Sequence, residues 1–230
     1  MATYHMSVAS GKKGTAVEHT DYIARRGRFG KNRNDLAAQG HGNMPPWAET
    51  PREFWKAADK FERANGAAYR TTVLALPREL DLAQQVELVE EFIEKDLGAR
   101  PYQYAIHCPS ASLEGGPQPH AHIDFHDGLD DGISRDAAQH FKRYNTAHPE
   151  TGGCKKASGG LHPREMGEIL RKRRAFWAEL QNDHLERYGH SARVTHLSLQ
   201  AQGQSDRQAQ RHLGYAGVKE LISTKLATND

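Results

Sequence analysis

Pro119-His120-Ala121-His122-Ile123-Asp124-Phe125 places two histidines two residues apart, with Ala121, Ile123 and Phe125 alternating against them. In an extended strand alternate side chains share a face, so His120 and His122 project together while the three hydrophobic residues turn the other way, into a core. Upstream, Tyr102-Gln103-Tyr104-Ala105-Ile106-His107 reads as a second strand, separated from the first by a loop over 108–118 that contains Gly, Pro and Ser. Paired as an antiparallel hairpin, the two strands bring His107 opposite or diagonal to His120. Three imidazoles then converge on one sheet face, a donor set for a single ion. With fourteen histidines in the chain some close pairs arise by chance, so spacing alone leaves packing and metal binding both open.

Around this hairpin the chain carries enough hydrophobic material for a real core: 230 residues, 37% hydrophobic and 26% charged, one large domain or two small ones. No apolar run approaches the roughly 20 residues a membrane span needs, and the N-terminus lacks a secretory pattern, so a cytoplasmic protein is expected. Cys108 and Cys154 form neither a disulfide framework nor a Cys-x-x-Cys zinc motif and read as free thiols. The net charge of +2 announces no nucleic-acid partner, but its distribution is uneven. Lys12, Lys13, Arg25, Arg26, Arg28, Lys31 and Arg33 crowd the first 34 residues, whereas 79–96 is mostly acidic.

In chain order, the alternation of Thr3 to Ala9 predicts a strand and 16–26 a helix; 28–46, rich in Gly, Asn and basic residues, predicts an irregular segment. Thr50-Pro51-Arg52-Glu53 is a helix start with a Thr cap and Pro at the first helical position, followed by the stripe Phe54, Trp55, Ala58 and Phe61. Tyr69 to Leu76 reads as a strand, and Asp81 caps a helix over 82–97. After the hairpin come a turn-rich 127–132, a short helix near 134–142, a helix over 163–188, and a loosely organised 191–230 with a helix at 216–227. The order β-α-α-β-α-β-β-α-α predicts an α+β fold, a central antiparallel sheet with a ferredoxin-like core and helices packed on one face. The expected division is 1–190 as one domain, with 191–230 an extension of it or the start of a linker.

Several stretches, in order along nearly the whole chain, resemble the MobA/MobL relaxases, plasmid mobilisation proteins of the HUH (His-hydrophobic-His) endonuclease superfamily, and most nearly the MobA type of broad-host-range mobilisable plasmids. They are Ala2-Thr3-Tyr4-His5, Asp21-Tyr22-Ile23-Ala24-Arg25-Arg26-Gly27, Glu62-Arg63-Ala64-Asn65-Gly66, Ala75-Leu76-Pro77, Ala105-Ile106-His107, Pro119-His120-Ala121-His122 and Phe141-Lys142-Arg143-Tyr144-Asn145. The resemblance implies the HUH architecture, Tyr22 as nucleophile, and His107, His120 and His122 as metal ligands. It further implies nicking and rejoining of one DNA strand at a plasmid origin of transfer through a 5′-phosphotyrosine, starting conjugative mobilisation in the bacterial cytoplasm. The implied partners are single-stranded origin DNA with an adjacent hairpin, mobilisation accessory proteins and a type IV secretion coupling protein.

The chemistry is coherent on its own terms. A phenol with a pKa near 10 needs help to lose its proton, and a divalent ion on three neutral imidazoles would polarise a phosphate beside it. Mn²⁺ or Mg²⁺ is expected, although imidazoles also suit Zn²⁺. Thr71 and Val73 stand where MobA relatives carry acidic residues, which leaves the acceptor of the tyrosine proton open; Asp21 and Asp124 are candidates, Asp124 equally as a partner that orients an imidazole. The sequence Phe125-His126-Asp127 also departs from the family's ending after the histidine pair. Arg25 and Arg26 are expected to hold phosphates beside Tyr22, with Lys142, Arg143, Lys155 and Lys156 tracking the strand and Tyr144 offering a stacking surface. The run Arg171-Lys172-Arg173-Arg174 reads first as a solvated helix face. The rivals are a rolling-circle replication initiator, a non-cleaving origin-binding accessory protein and an unrelated three-histidine metalloenzyme.

Overall fold

The computed structural model describes residues 3–110 and 116–204. A single five-stranded antiparallel sheet runs in the order β1 (Met6–Lys12), β3 (Ala67–Ala75), β5 (His120–Phe125), β4 (Tyr102–His107), β2 (Leu36–Gly42). The histidine hairpin is therefore β4–β5, with β5 at the sheet's centre, and its bounds coincide with those expected from alternation. The segment β3, α3 (Leu82–Leu97), β4, β5 forms a split β-α-β whose crossover helix returns the chain beyond the place that β5 then fills. With β1 on the outer edge of β3, this is the strand arrangement of a ferredoxin-like core, extended by β2. The α+β, HUH-type architecture expected from the sequence is present.

The sheet's two faces differ in chemistry. Leu74, Ile106, Ala121, Ile123 and Phe125 turn toward α3 and α5 (Pro163–Arg187), where they bury against Leu88, Phe92, Ile93, Leu97, Trp177, Leu180 and Leu185. The two long helices thus pack on one face, as expected. They meet edge to face at Phe92 and Trp177, whose ring centroids lie 5.2 Å apart. On the other face the register places His107 across from His120 and Asp124 between Thr71 and Gln103. Two shorter helices, α1 (Ala16–Ile23) and α2 (Pro51–Phe61), lie on that side, held by a second cluster in which Phe54, Trp55 and Ala58 pack with Ala16, Tyr69 and Phe141.

The helix starts follow their sequence signals. Thr50 and Glu53 form the reciprocal capping box ahead of α2, and Asp81 with Gln84 does the same for α3. A short α4 (Ala137–His140) occupies part of the 134–142 stretch. The region 28–46 departs from expectation: Gly27–Asp35 winds as a 3-10 helix and Leu36–Gly42 is the edge strand β2, paired to β4. The expected helix at 216–227 lies outside the described residues. Of the Arg171–Arg174 run, Arg171 is solvated, but Arg173 is half-buried in a bidentate pair with Asp96, both contacts at 2.7 Å.

Candidate active site

The hairpin register alone fixes most of the site. His107 ends β4, His120 begins β5 directly across from it, and His122 follows on the same face. Their ring centroids are 5.0 to 5.5 Å apart, and one ring nitrogen of each lies within 4.8 Å of the others. The three imidazoles expected to converge do so.

Hydrogen bonds set which nitrogens carry protons. His107 Nε2 sits 2.7 Å from the carbonyl of Ile23, which can only accept, so Nε2 is protonated and Nδ1 holds the lone pair. The Nδ1–H of His120 likewise donates to the Gln118 carbonyl at 3.0 Å, freeing Nε2. His122 Nδ1 is buried without a hydrogen-bond partner in the protein. Burial lowers the pKa of all three imidazoles, and of His122, beside the other two, to about 3. Three neutral rings, with Nε2 of His120 free, Nδ1 of His122 orphaned and Nδ1 of His107 engaged only by a 3.3 Å contact from Arg25, fit a divalent cation.

Tyr22 stands at the edge of this cluster, on the last turn of α1. Its ring is 39% exposed and meets His122 edge-on at 6.4 Å and Phe29 edge-on at 5.4 Å. The end of α1 is tied to the cluster through the Ile23 carbonyl on His107, so the tyrosine and the histidines are positioned by one connection between a helix terminus and a strand end.

Arg25, expected to hold a phosphate, is engaged within the protein: its guanidinium turns inward, bidentate to Asp35 at 2.7 and 2.8 Å, and donates to the Tyr22 carbonyl at 3.0 Å and to His107 Nδ1 at 3.3 Å. The physical reason is backbone: Arg25 follows the helix end in the left-handed region, at φ +52°, and this aims its side chain back under α1. Its guanidinium also lies 4.8 Å from the centre of the Tyr22 ring. The carboxyl of Asp35 is held below its usual range by that arginine. Arg26 remains half-exposed in a shallow groove with Asp21, Arg28 and Phe29.

The two acids offered as proton acceptors are both engaged. Asp21 pairs with Arg52 at 3.1 Å. Asp124 is wholly buried and orients an imidazole, but that of His19 rather than of a cluster histidine: His19 Nε2 lies 3.2 Å from Asp124 Oδ1. His19 escaped the sequence reading although it precedes Tyr22 by one helical turn. Asp35 escaped because it falls in the stretch read as irregular. Lys142 and Arg143 are exposed and Tyr144 half-exposed just after α4, which packs on α2. Lys155 is exposed, whereas Lys156 is bound to the buried Glu62 at 2.7 Å. His126 meets the same Glu62, and Asp127 bonds Arg70, so the two residues that depart from the family's ending are structural.

The sequence profile of the MobA/MobL family matches residues 19–220. The chain is 50% identical over 206 residues to the 43 kDa relaxation protein of Salmonella typhimurium, an alignment covering 88% of this chain and 56% of that protein. It is 40% identical over 208 residues to mobilization protein A of Escherichia coli, covering 88% of this chain and 28% of the relative. The chain thus spans about half or less of the length of these relatives. Among solved structures the fold is similar to one described as "Molecular Basis of Vancomycin Resistance Transfer in Staphylococcus aureus", at a TM-score of 0.58 and 22% identity over 86% of this chain and all of that one. With the profile running through α1, the histidine hairpin and α5, the chain belongs to the MobA/MobL family.

Proposed function

We propose that this chain is the nicking domain of a plasmid relaxase, which cuts and rejoins one strand of DNA at an origin of transfer. The observation that carries the reading is the placement of a partly exposed phenol, Tyr22, against the rim of a three-histidine cluster. Tyr22 Oη attacks the scissile phosphorus, the bond from phosphorus to the 3′ oxygen breaks, and the 5′ phosphate stays on the tyrosine. One phosphodiester replaces another, so a free 3′ hydroxyl reverses the step. His107, His120 and His122 would hold a divalent ion, for which we favour Mn²⁺ or Mg²⁺ over Zn²⁺, and such an ion would lend positive charge to the phosphate oxygens. Arg26 offers charge to the flanking phosphates, and Lys142 and Arg143 with Tyr144 offer a second contact for the strand or its adjacent hairpin. Accessory mobilisation proteins, a secretion coupling protein and a cytoplasmic location accompany this reading; among the described residues no helix is long and apolar enough to cross a membrane.

The test is incubation with a labelled single-stranded origin oligonucleotide and Mn²⁺. We expect a denaturation-resistant adduct mapping to Tyr22 and a free 3′ hydroxyl on the other product. Tyr22→Phe should lower adduct formation by about 10³-fold or more with little change in DNA affinity, since only one oxygen is removed. Excess EDTA, or His120→Ala with His122→Ala, should abolish it. An adduct on another tyrosine, or robust nicking by the Phe variant, would refute the assignment.

A further inference from the structure

Four rings or cations surround Tyr22 among the described residues: His19, Arg25, Phe29 and His122. Only the two histidines carry a nitrogen that can accept a proton, and His122 belongs to the cluster. His19 does not. It sits one helical turn before Tyr22 on the same side of α1, with its ring 6.4 Å from the phenol ring and tilted by 38°. Its side chain is 26% exposed.

What fixes His19 is a buried row across the centre of the sheet. Asp124 on β5 accepts from His19 Nε2, which leaves His19 Nδ1 as the basic nitrogen. Thr71 on β3 and Gln103 on β4 flank Asp124 in register. Gln103 is anchored by the Trp55 indole at 3.3 Å, and its own Nε2, Thr71 Oγ1 and Asp124 Oδ2 are buried without a hydrogen-bond partner. The register thus sets Thr71 and Gln103 on either side of a carboxylate that the sheet keeps from solvent. On its outer side the His19 ring stacks on Tyr69, 4.6 Å between centroids and 18° between planes. A carboxylate that holds an imidazole in one tautomer beside a hydroxyl nucleophile is the arrangement that activates weak nucleophiles elsewhere.

We propose that His19, held by Asp124, is the group that takes the proton from Tyr22. Resting on the relaxase reading, this assigns the acceptor left open by Thr71 and Val73 and replaces Asp21 and Asp124 in that role. In the forward step the Tyr22 Oη proton moves to His19 Nδ1 as the bond from Oη to phosphorus forms. The electron pair of the broken bond leaves with the 3′ oxygen, which takes a proton from water, and the imidazolium later releases its own. Rejoining runs the same transfers backward, with His19 returning a proton to Oη.

The experiment measures the rate of adduct formation on the origin oligonucleotide with saturating Mn²⁺ for wild type, His19→Gln and His19→Ala. Glutamine can still donate to Asp124, which preserves the buried row, but it cannot accept a proton. We expect His19→Gln to slow the adduct by about 10²-fold or more with unchanged DNA affinity and melting temperature. His19→Ala should be slowed as much and be accelerated by added imidazole, an effect that lost packing would not show. Wild-type rates in His19→Gln, or a loss in folded His19→Ala that imidazole does not relieve, would overturn the role of His19 while leaving Tyr22 as nucleophile. A wild-type protein that gives no Tyr22 adduct would overturn the relaxase reading and this role together.

Discussion

At the scale of single residues, the two arginines beside Tyr22 differ in their surroundings, and only Arg26 is open to the DNA contact proposed above. Arg25 is nearly buried, at φ +52°, and its positive charge is matched by Asp35 in a bidentate pair. Removing the acid leaves a buried cation and an unfavourable backbone conformation with nothing to hold them, so Asp35→Ala should destabilise the fold by about 3 kcal/mol, read from urea unfolding. Arg26, half-exposed, carries no such duty. Its alanine variant should leave stability alone and lower the slope of log affinity against log salt for single-stranded DNA by about one. An Arg26→Ala slope equal to wild type would move the phosphate contact elsewhere. Adjacency in sequence suggested that Arg25 and Arg26 act alike, and only the left-handed turn separates them. That the three histidines converge was legible from strand alternation, and that Tyr22 stands beside them from the family resemblance. His19 was not, because its significance lies in Asp124, 105 residues away.

At the scale of elements, legibility followed side-chain pattern. The hairpin β4–β5 and the helices α2 and α3 announce themselves by alternation, capping boxes and apolar stripes. Strand β2, Leu-Ala-Ala-Gln-Gly-His-Gly, has none of these and few residues that favour a strand. It is extended because β4 offers it an edge, and its glycines are required by that partner. The Tyr104 ring folds over Gly40 and the Tyr102 ring over Gly42, so that a Cβ added at Gly40 would lie 2.5 Å from Tyr104 Cε1 and one at Gly42 2.6 Å from Tyr102 Oη. Tyr104 cannot simply move aside, since it is buried and its hydroxyl donates to Glu90 of α3 at 2.8 Å. Gly40→Ala should therefore cost about 1–3 kcal/mol, a penalty a glycine with open space at Cβ would not show. Pairing it with Tyr104→Ala should relieve much of the clash, and a double-mutant cycle checks the coupling.

At the scale of the whole molecule, one sheet face is an apolar seam and the other is lined with neutral imidazoles, and this difference governs the response to acid. Burial lowers the pKa of His107, His120, His122, His126 and His140 below the ordinary histidine range, to about 3 for His122 and for His140, which is packed among Trp47, Phe54 and Phe141. Each binds its proton more weakly folded than unfolded, where the value is near 6.5, so unfolding takes up protons. The stability they contribute is complete above about pH 6.5 and declines as pH falls through that value toward 3. Glu62 adds to the loss later: burial works against its ionisation, but His126 and Lys156 outweigh it and hold the carboxyl at about 2, so its share fades as pH falls below about 4.5. With two histidines still neutral in the folded chain at pH 5 and charged in the unfolded one, the unfolding free energy should fall by roughly 2–3 kcal/mol per pH unit between pH 6 and 4.5. Carboxylates alone would leave it nearly flat until about pH 5. Urea denaturation of the metal-free protein across pH 7.5 to 4.5 measures the slope directly. A free energy constant down to pH 5 would mean that these imidazoles are not buried neutral. Because His140 lies outside the three-histidine cluster, saturating Mn²⁺ on the proposed metal site should raise stability and add proton dependence through His107, His120 and His122 without removing the share due to His140.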